Sequence, residues 1–223
     1  MKTRRQMSET YFLGSILAIV GGFLDAYTYI GRGGVFANAQ TGNIVLMGIK
    51  FANGHIRESL IYLIPIFSFI IGILICELIH QKFIEAKLLH WRQITILFEI
   101  IVLTIVAFIP QTRTCNNISN ALVSFVCSLQ VQSFRKINDN AIATTMCTGN
   151  LRSGTEHFFN FLSTKDKQEL VHTFEYLGII LFFIFGGAIG ALITNSLSIK
   201  AVLIGNIGLI ITFIIMFINH DKN

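Results

Sequence analysis

Two stretches decide the fold of this chain: residues 33–51, GGVFANAQTGNIVLMGIKF, and residues 141–161, AIATTMCTGNLRSGTEHFFNF. Each opens on a short extended-looking piece, Val35-Phe36 in one and Ala141-Ile142-Ala143-Thr144 in the other. Each then reaches Thr-Gly-Asn, as Thr41-Gly42-Asn43 and as Thr148-Gly149-Asn150. After the first Thr-Gly-Asn only about eight apolar residues, ~12 Å of helix, precede Lys50, and the hydrocarbon layer is ~30 Å thick. The second stretch carries Arg152, Glu156 and His157, too much charge for a helix facing lipid. Non-helical backbone at membrane depth survives only when it is buried in protein or lines a wet cavity. Both stretches are therefore predicted to be broken or re-entrant helices.

The surroundings are those of a membrane protein. Six further segments are long and apolar enough to span, roughly 11–30, 60–79, 93–110, 118–134, 174–194 and 201–218. Pro65 falls in the first turns of the second segment and Pro110 closes the third. Charged residues make up 13% of the chain, about half of the ~25% a soluble domain uses to cover its surface. With mean hydropathy +0.66, this excludes a disordered chain and argues against a soluble enzyme. The basic balance, net +5, comes from Lys and Arg scattered between apolar runs. Positive loops on the cytoplasmic side account for it better than nucleic acid does. The basic start (Lys2, Arg4, Arg5) and its apolar sequel lack a small-residue cleavage site, and read as an uncleaved first span with a cytoplasmic N-terminus.

The chain also repeats itself. Thr41-Gly42-Asn43 recurs 107 residues later, Phe23-Leu24-Asp25-Ala26 matches Ser128-Leu129-Gln130-Val131 at 105, and residues 69–79 match 183–193 at 114. The expected organisation is one membrane domain, 1–223, with repeats 11–110 and 118–219. With three crossings per half, the halves enter the membrane from opposite sides. Loop charge favours this count. Six spans put 12 Lys and Arg inside and 5 outside, whereas eight spans put 10 inside and 7 outside. The fold class read from sequence is an all-α integral membrane protein: two inverted repeats, six spanning helices and two broken or re-entrant segments. Inverted repeats with discontinuous helices are characteristic of secondary transporters.

Candidate solute- or ion-binding residues follow. Asp25 lies inside the first span, where a carboxylate costs ~3 kcal/mol and faces a cavity or a partner. It reads as a proton- or ion-coupling group or, five residues from the span's end, as a helix N-cap or interhelical hydrogen bond near the membrane surface. Gln130 holds the matching place and cannot titrate. Thr41, Gly42, Asn43, Thr148, Gly149 and Asn150 each belong to a short helix start whose N–H groups would attract an anion or a carbonyl oxygen. Plain capping by Thr or Asn is the alternative. Asn38 and Gln40 add amides nearby. Glu77 reads as reaching the interface and Glu99 as deeper. Asn206 is an interhelical bonding candidate. Gly186-x-x-x-Gly190 is a close-packing face, within the chain or in a homodimer. Arg152 and Glu156 are spaced to pair, and Trp91 and Tyr11 read as interface anchors. No metalloprotease, serine-hydrolase or P-loop pattern occurs. The four cysteines lack metal or redox spacing. The expectation is no enzyme, no catalytic residue, no metal and no cofactor.

The stretches Gly22-Phe23-Leu24-Asp25-Ala26 and Gly34-Val35-Phe36-Ala37-Asn38-Ala39-Gln40-Thr41-Gly42-Asn43 resemble the signature of the YoaK-like bacterial membrane proteins. Ser128-Leu129-Gln130, Thr144-Thr145 and Thr148-Gly149-Asn150 resemble it again, so the likeness runs from about Tyr11 to Asn219. Val131 stands after Gln130 where that family often has Asn. The resemblance implies a multi-pass protein of the bacterial cytoplasmic membrane and assigns no activity. A looser likeness is to one half of the nucleobase and sulfate permeases, which place a short strand before a half-helix. The functional expectation is a small secondary transporter or channel for a small polar or anionic solute. A non-transporting scaffold or accessory subunit is the alternative, and a lipid-acting enzyme lacks a nucleophile. The lipid bilayer and the solute are the expected partners, with no nucleic acid.

Overall fold

The structure is a computed structural model and describes residues 9–84, 89–138 and 140–217. Helix α1 (Tyr11–Gly31) starts where the Thr10 hydroxyl accepts the Leu13 N–H. It stops where Gly33 and Gly34 take φ of 92° and 79°, a region open to glycine. After a non-helical passage come α2 (Gln40–Ala52), the single turn-and-a-half α3 (Ile56–Ile61) and α4 (Leu63–Phe83). Helix α5 (Trp91–Val106) opens on a capping box of His90 and Gln93, and α6 (Arg113–Ser133) on Thr112. A second non-helical passage leads to α7 (Cys147–Thr164), and Asp166 caps α8 (Lys167–Leu197). Ser198 at φ 53° turns the chain through a 3-10 segment, Ser198–Ala201, into α9 (Val202–Ile215). Among the described residues there is no strand, only a lone bridge between Ile137 and Asn140.

Three stretches are long and apolar enough to cross a membrane: Tyr11–Gly31, Ile56–Phe83 and Lys167–Ile215. Their outer faces are apolar, with Phe67, Leu74 and Leu78 exposed on α4 and Phe174, Leu181 and Leu192 exposed on α8. The inside is comparatively polar. Helix α6 buries Ser119, Asn120, Ser124, Ser128 and Gln130. That inversion is what a lipid solvent selects, because polar groups must find partners inside the protein.

Boundaries differ from the sequence reading for local reasons. The fourth helix begins five residues earlier than expected because Thr112 caps it. The fifth begins seven earlier, at Lys167, because its polar first turns pack on α7, with Glu169 accepting from His157 at 2.7 Å. That contact also corrects the expected Arg152–Glu156 pair: both side chains are exposed, and among the described residues they do not pair. The third ends at Val106, before Pro110. The basic Lys2, Arg4 and Arg5, Lys87, Lys222 and the expected last-span end at 218 lie outside the described residues.

Close contacts fix the helix directions. Along α1, Tyr11, Ile19, Phe23 and Gly31 meet in turn Gly178, Gly186, Gly190 and Thr194 of α8, so α1 and α8 run the same way. The Gly186-x-x-x-Gly190 face is consumed here, against α1 of the same chain. Likewise Gly72 lies on Phe125 and Ser128, and Cys76 on Leu129 and Ser133, so α4 runs with α6. Helix α9 runs against α1, since Gly205 meets Phe23 and Gly208 meets Val20. Helix α5 runs against α6: Thr95 bonds Ser133 near one end, and Val106 shares Arg32 with Asn116 near the other. Asn206 donates from α9 to Ile100 O and Thr104 of α5, as its interhelical reading anticipated.

Arg32, one of the five Lys and Arg that the six-span count places in outside loops, is not a surface loop charge. It is 1% exposed. Its guanidinium donates to the carbonyls of Val106 (2.8 Å), Ile109 (3.0 Å) and Pro110 (3.3 Å), to Asn116 Oδ1 and to the Tyr27 hydroxyl. It binds the last carbonyl of α5, Val106, and the Ile109 and Pro110 carbonyls just past the helix end, where a cation also complements the helix dipole.

Candidate functional site

Both Thr-Gly-Asn motifs sit in the first turn of a helix whose N-terminus carries no side-chain cap. The residues before α2 and α7 are Ala39 and Met146. The Thr and Asn side chains therefore do not cap these helices. The Asn reaches back instead. Asn43 Nδ2 donates to Phe36 O at 2.7 Å, and Oδ1 accepts the Phe36 N–H at 3.2 Å. Asn150 does the same to Ala143, at 2.6 and 3.3 Å. In each half a buried amide seven residues downstream completes both backbone groups of one residue in the non-helical passage. A strand would have used a ladder for that purpose.

The two passages meet on α1. A Cβ at Gly21 would collide with Thr145 Cγ2, and Asn38 Nδ2 stands 3.6 Å from that point. Asn38 donates to the Gly21 carbonyl at 3.1 Å. One turn along, Asp25 is 7% exposed, and its Oδ1 accepts the Asn38 N–H at 2.8 Å. Gln40 Nε2 donates to Ala37 O and to Ser124 Oγ of α6, and its Oε1 accepts from Asn43. On the second side Gln130 of α6 donates to Leu17 O of α1 and to Thr144 Oγ1. The structure thus gathers Asp25, Asn38, Gln40, Asn43 and Gln130 about the contact between α1, α6 and the two passages. Asn38 Oδ1 is buried without a partner. Thr41, Thr148 and Gly149 are exposed. Gly42 packs on the Phe36 ring, and Asn150 is held at Ala143.

Two cavities lie at opposite ends of the bundle. One, of about 490 Å³, is lined by Arg32, Lys50, Glu58, Arg113, Asn116 and Asn120 among others. From Asn120, one turn of α6 leads to Ser124 and so to Gln40. The other, of about 270 Å³, includes Cys76, Glu77, Arg92 and Ser133. Glu77 there accepts from Gln132 and is half exposed, in keeping with its interfacial reading. The Trp91 ring lies against His80 at that end, tilted by 49° with centroids 4.4 Å apart.

Two residues matter more than the sequence signal suggested. Glu99 is fully buried on α5, with neither carboxyl oxygen bonded. Its apolar neighbours in sequence showed only that it was inside a span. Ser124 looks like any small residue of α6, yet it holds Ala37 O and Gln40 together.

A family model described as protein of unknown function (DUF1275) matches residues 13–215, the family that the 22–43 and 128–150 stretches resemble. No curated protein and no solved structure matches. The looser likeness to nucleobase and sulfate permeases therefore gains no support.

Proposed function

From the premise that the chain belongs to the DUF1275 family, whose description assigns no activity, we propose that it is a small secondary transporter of a polar or anionic solute in the bacterial cytoplasmic membrane. Helices α1, α5 and α8 run one way and α4, α6 and α9 the other, which supports six crossings, three in each half. Packing supports the inverted repeat. The second crossing helix of each half lies on the first helix of the other: α4 on α6 through Gly72, and α8 on α1 through Gly186, at matching sequence positions. Lys82, Arg92, Arg135, Lys136, Lys165 and Lys167 gather at the end where α1 starts, which supports a cytoplasmic N-terminus.

One observation carries the reading: two uncapped helix N-termini approach Asp25 from opposite ends of the bundle. Helix α2 runs from there toward Lys50 and Glu58, and α7 runs the other way, toward Glu169. In α2 the Gln40 and Gly42 N–H groups already donate to Asn38 O and Ala39 O, so the positive dipole end and the remaining first-turn N–H groups are what would receive an anion or a carbonyl oxygen at low cost. The unpartnered Asn38 Oδ1 adds an acceptor for a solute hydroxyl or N–H. The two end cavities, separated by the closed Asp25 contact, have the form of an occluded state. Rocking one half against the other would open either cavity inward to the same centre.

The test is a thermal-shift screen of polar and anionic solutes on purified protein, followed by uptake of any hit into liposomes. The expected result is pH-dependent uptake that Asp25→Asn abolishes while the variant stays folded, since the amide Oδ1 still accepts the Asn38 N–H. Unchanged pH-dependent flux in that variant removes Asp25 from the mechanism. A scaffold without transport is the second reading. It is favoured by one observation, that the Asn43 and Asn150 amides are spent on the chain's own backbone. It predicts no shift and no uptake with any solute, and partner capture through exposed apolar faces instead.

A further inference from the structure

Glu99 stands apart from the Asp25 centre and from the roles described so far. It lies one turn beyond Thr95 on the same face of α5, and both residues are fully buried. The titratable groups on the helices packed around it are Cys76 and Glu77 of α4 and Cys127 of α6, with Asp25 of α1 beyond Cys127; α9 brings none. No cation faces it. Arg92 of its own helix is turned to Glu9 (2.9 Å) and to the Ser133 carbonyl (2.9 Å). A carboxylate left without a hydrogen bond or a counter-charge in such an interior is costly, and a bound proton relieves that cost. The fully buried Cys127 thiol lies within electrostatic reach of both Glu99 and Asp25.

Among the described residues a line of polar side chains approaches it from one end and stops at Thr95, one turn away. The 270 Å³ cavity is lined by Cys76 and Ser133. Cys76 Sγ lies 3.2 Å from Ser133 Oγ, and Ser133 Oγ lies 3.2 Å from Thr95 Oγ1. These hydroxyls and the thiol step from the cavity wall to the turn below Glu99. The opposite cavity contains none of these groups.

We propose that Glu99 is a proton-binding site loaded from the Cys76–Ser133 cavity through Thr95. The proton is the coupling ion of the transporter, and Glu99 takes part with Asp25 on the far side of Cys127. Loading moves a proton between water in the cavity and the carboxyl oxygen, with no other bond made or broken. The coupling consequence rests on the transport reading; the proton site itself does not.

The test is infrared spectroscopy of the full chain in proteoliposomes, without solute, following the carbonyl band of a protonated carboxyl after transfer to heavy water. The expected result is a band that shifts as its proton exchanges, that Glu99→Gln removes and that Asp25→Asn retains. Ser133→Ala is expected to keep the band and slow its shift several-fold. Glu99→Gln breaks no hydrogen bond; if it does not fold, Glu99→Leu serves in its place. A band surviving loss of Glu99, or one that never shifts in heavy water, overturns the site. A shift as fast in Ser133→Ala as in the parent overturns the path. Because no solute is present, the band is read even if the chain transports nothing, and loss of uptake alone leaves it in place.

Discussion

The two broken segments share a scaffold and differ in chemistry. In both, a buried Asn in the first turn of a short helix holds the backbone of the residue seven places before it. In both, the passage rests on a polar side chain of the half's first helix. In the first half that side chain is Asp25, an acceptor for the Asn38 N–H; in the second it is Gln130, a donor to Thr144. What holds each short helix in place is common to the two segments, and the group able to carry charge is not. A site between the two is thus mechanically two-sided and electrostatically one-sided.

The strongest way to break this comparison is to remove the paired Asn. Asn43→Ala and Asn150→Ala each strand a backbone N–H and C=O, and are expected to cost about 2–5 kcal/mol apiece. Thermal unfolding in detergent should show losses of similar size in both; one neutral variant ends the structural equivalence. Next come the packing glycines. A Cβ at Gly186 would stand 2.0 Å from the Ile19 carbonyl oxygen, and one at Gly72 would stand 1.8 Å from the Ser128 hydroxyl and 2.7 Å from Phe125 O. Alanine at either is expected to cost ~1–3 kcal/mol by overpacking. Gly186→Ala should be the worse, because backbone cannot turn aside as a hydroxyl can. The reverse order in unfolding midpoints would mean that α1 and α8 yield more easily than α4 and α6. The smallest effects lie where the short helices end. The first runs out to Gly54 at φ 78° and the second stops on Lys165 at φ 60°. Gly54→Ala is expected to lose ~1 kcal/mol, and Lys165→Gly to gain about 0.5 kcal/mol, less than the strain relieved because glycine also loosens the unfolded chain.

Much of this was legible beforehand. Short apolar reach after Thr41-Gly42-Asn43 and charge after Thr148-Gly149-Asn150 marked the two breaks, and helices begin at Gln40 and Cys147. Hydropathy located the other helices because lipid imposes it. The role of the Asn side chains was not legible: spacing of seven corresponds to no local rule, and only the folded passage brings Phe36 back to Asn43. Arg32 read as one of the outer-loop charges because its acceptors, the carbonyls of Val106, Ile109 and Pro110 around the end of α5, lie more than seventy residues away. Thr41 and Thr148 share the motif with the Asn residues but face outward, since a helix turns about 100° between neighbours. Glu99 was visible as a carboxyl in an apolar run; its lack of any partner is a property of packing.

The account depends on the two short helices leaving the centre toward opposite faces of the membrane. Asn53→Cys places a reporter just beyond α2 and Thr164→Cys one at the last residue of α7, in chains whose half-buried Cys115 and Cys147 are replaced by Ser. The decisive measurement is labelling by a membrane-impermeant maleimide on intact cells and again after permeabilisation. The account predicts that the position-53 variant reacts from outside and the position-164 variant only after permeabilisation. Reaction of both from the same face would contradict it.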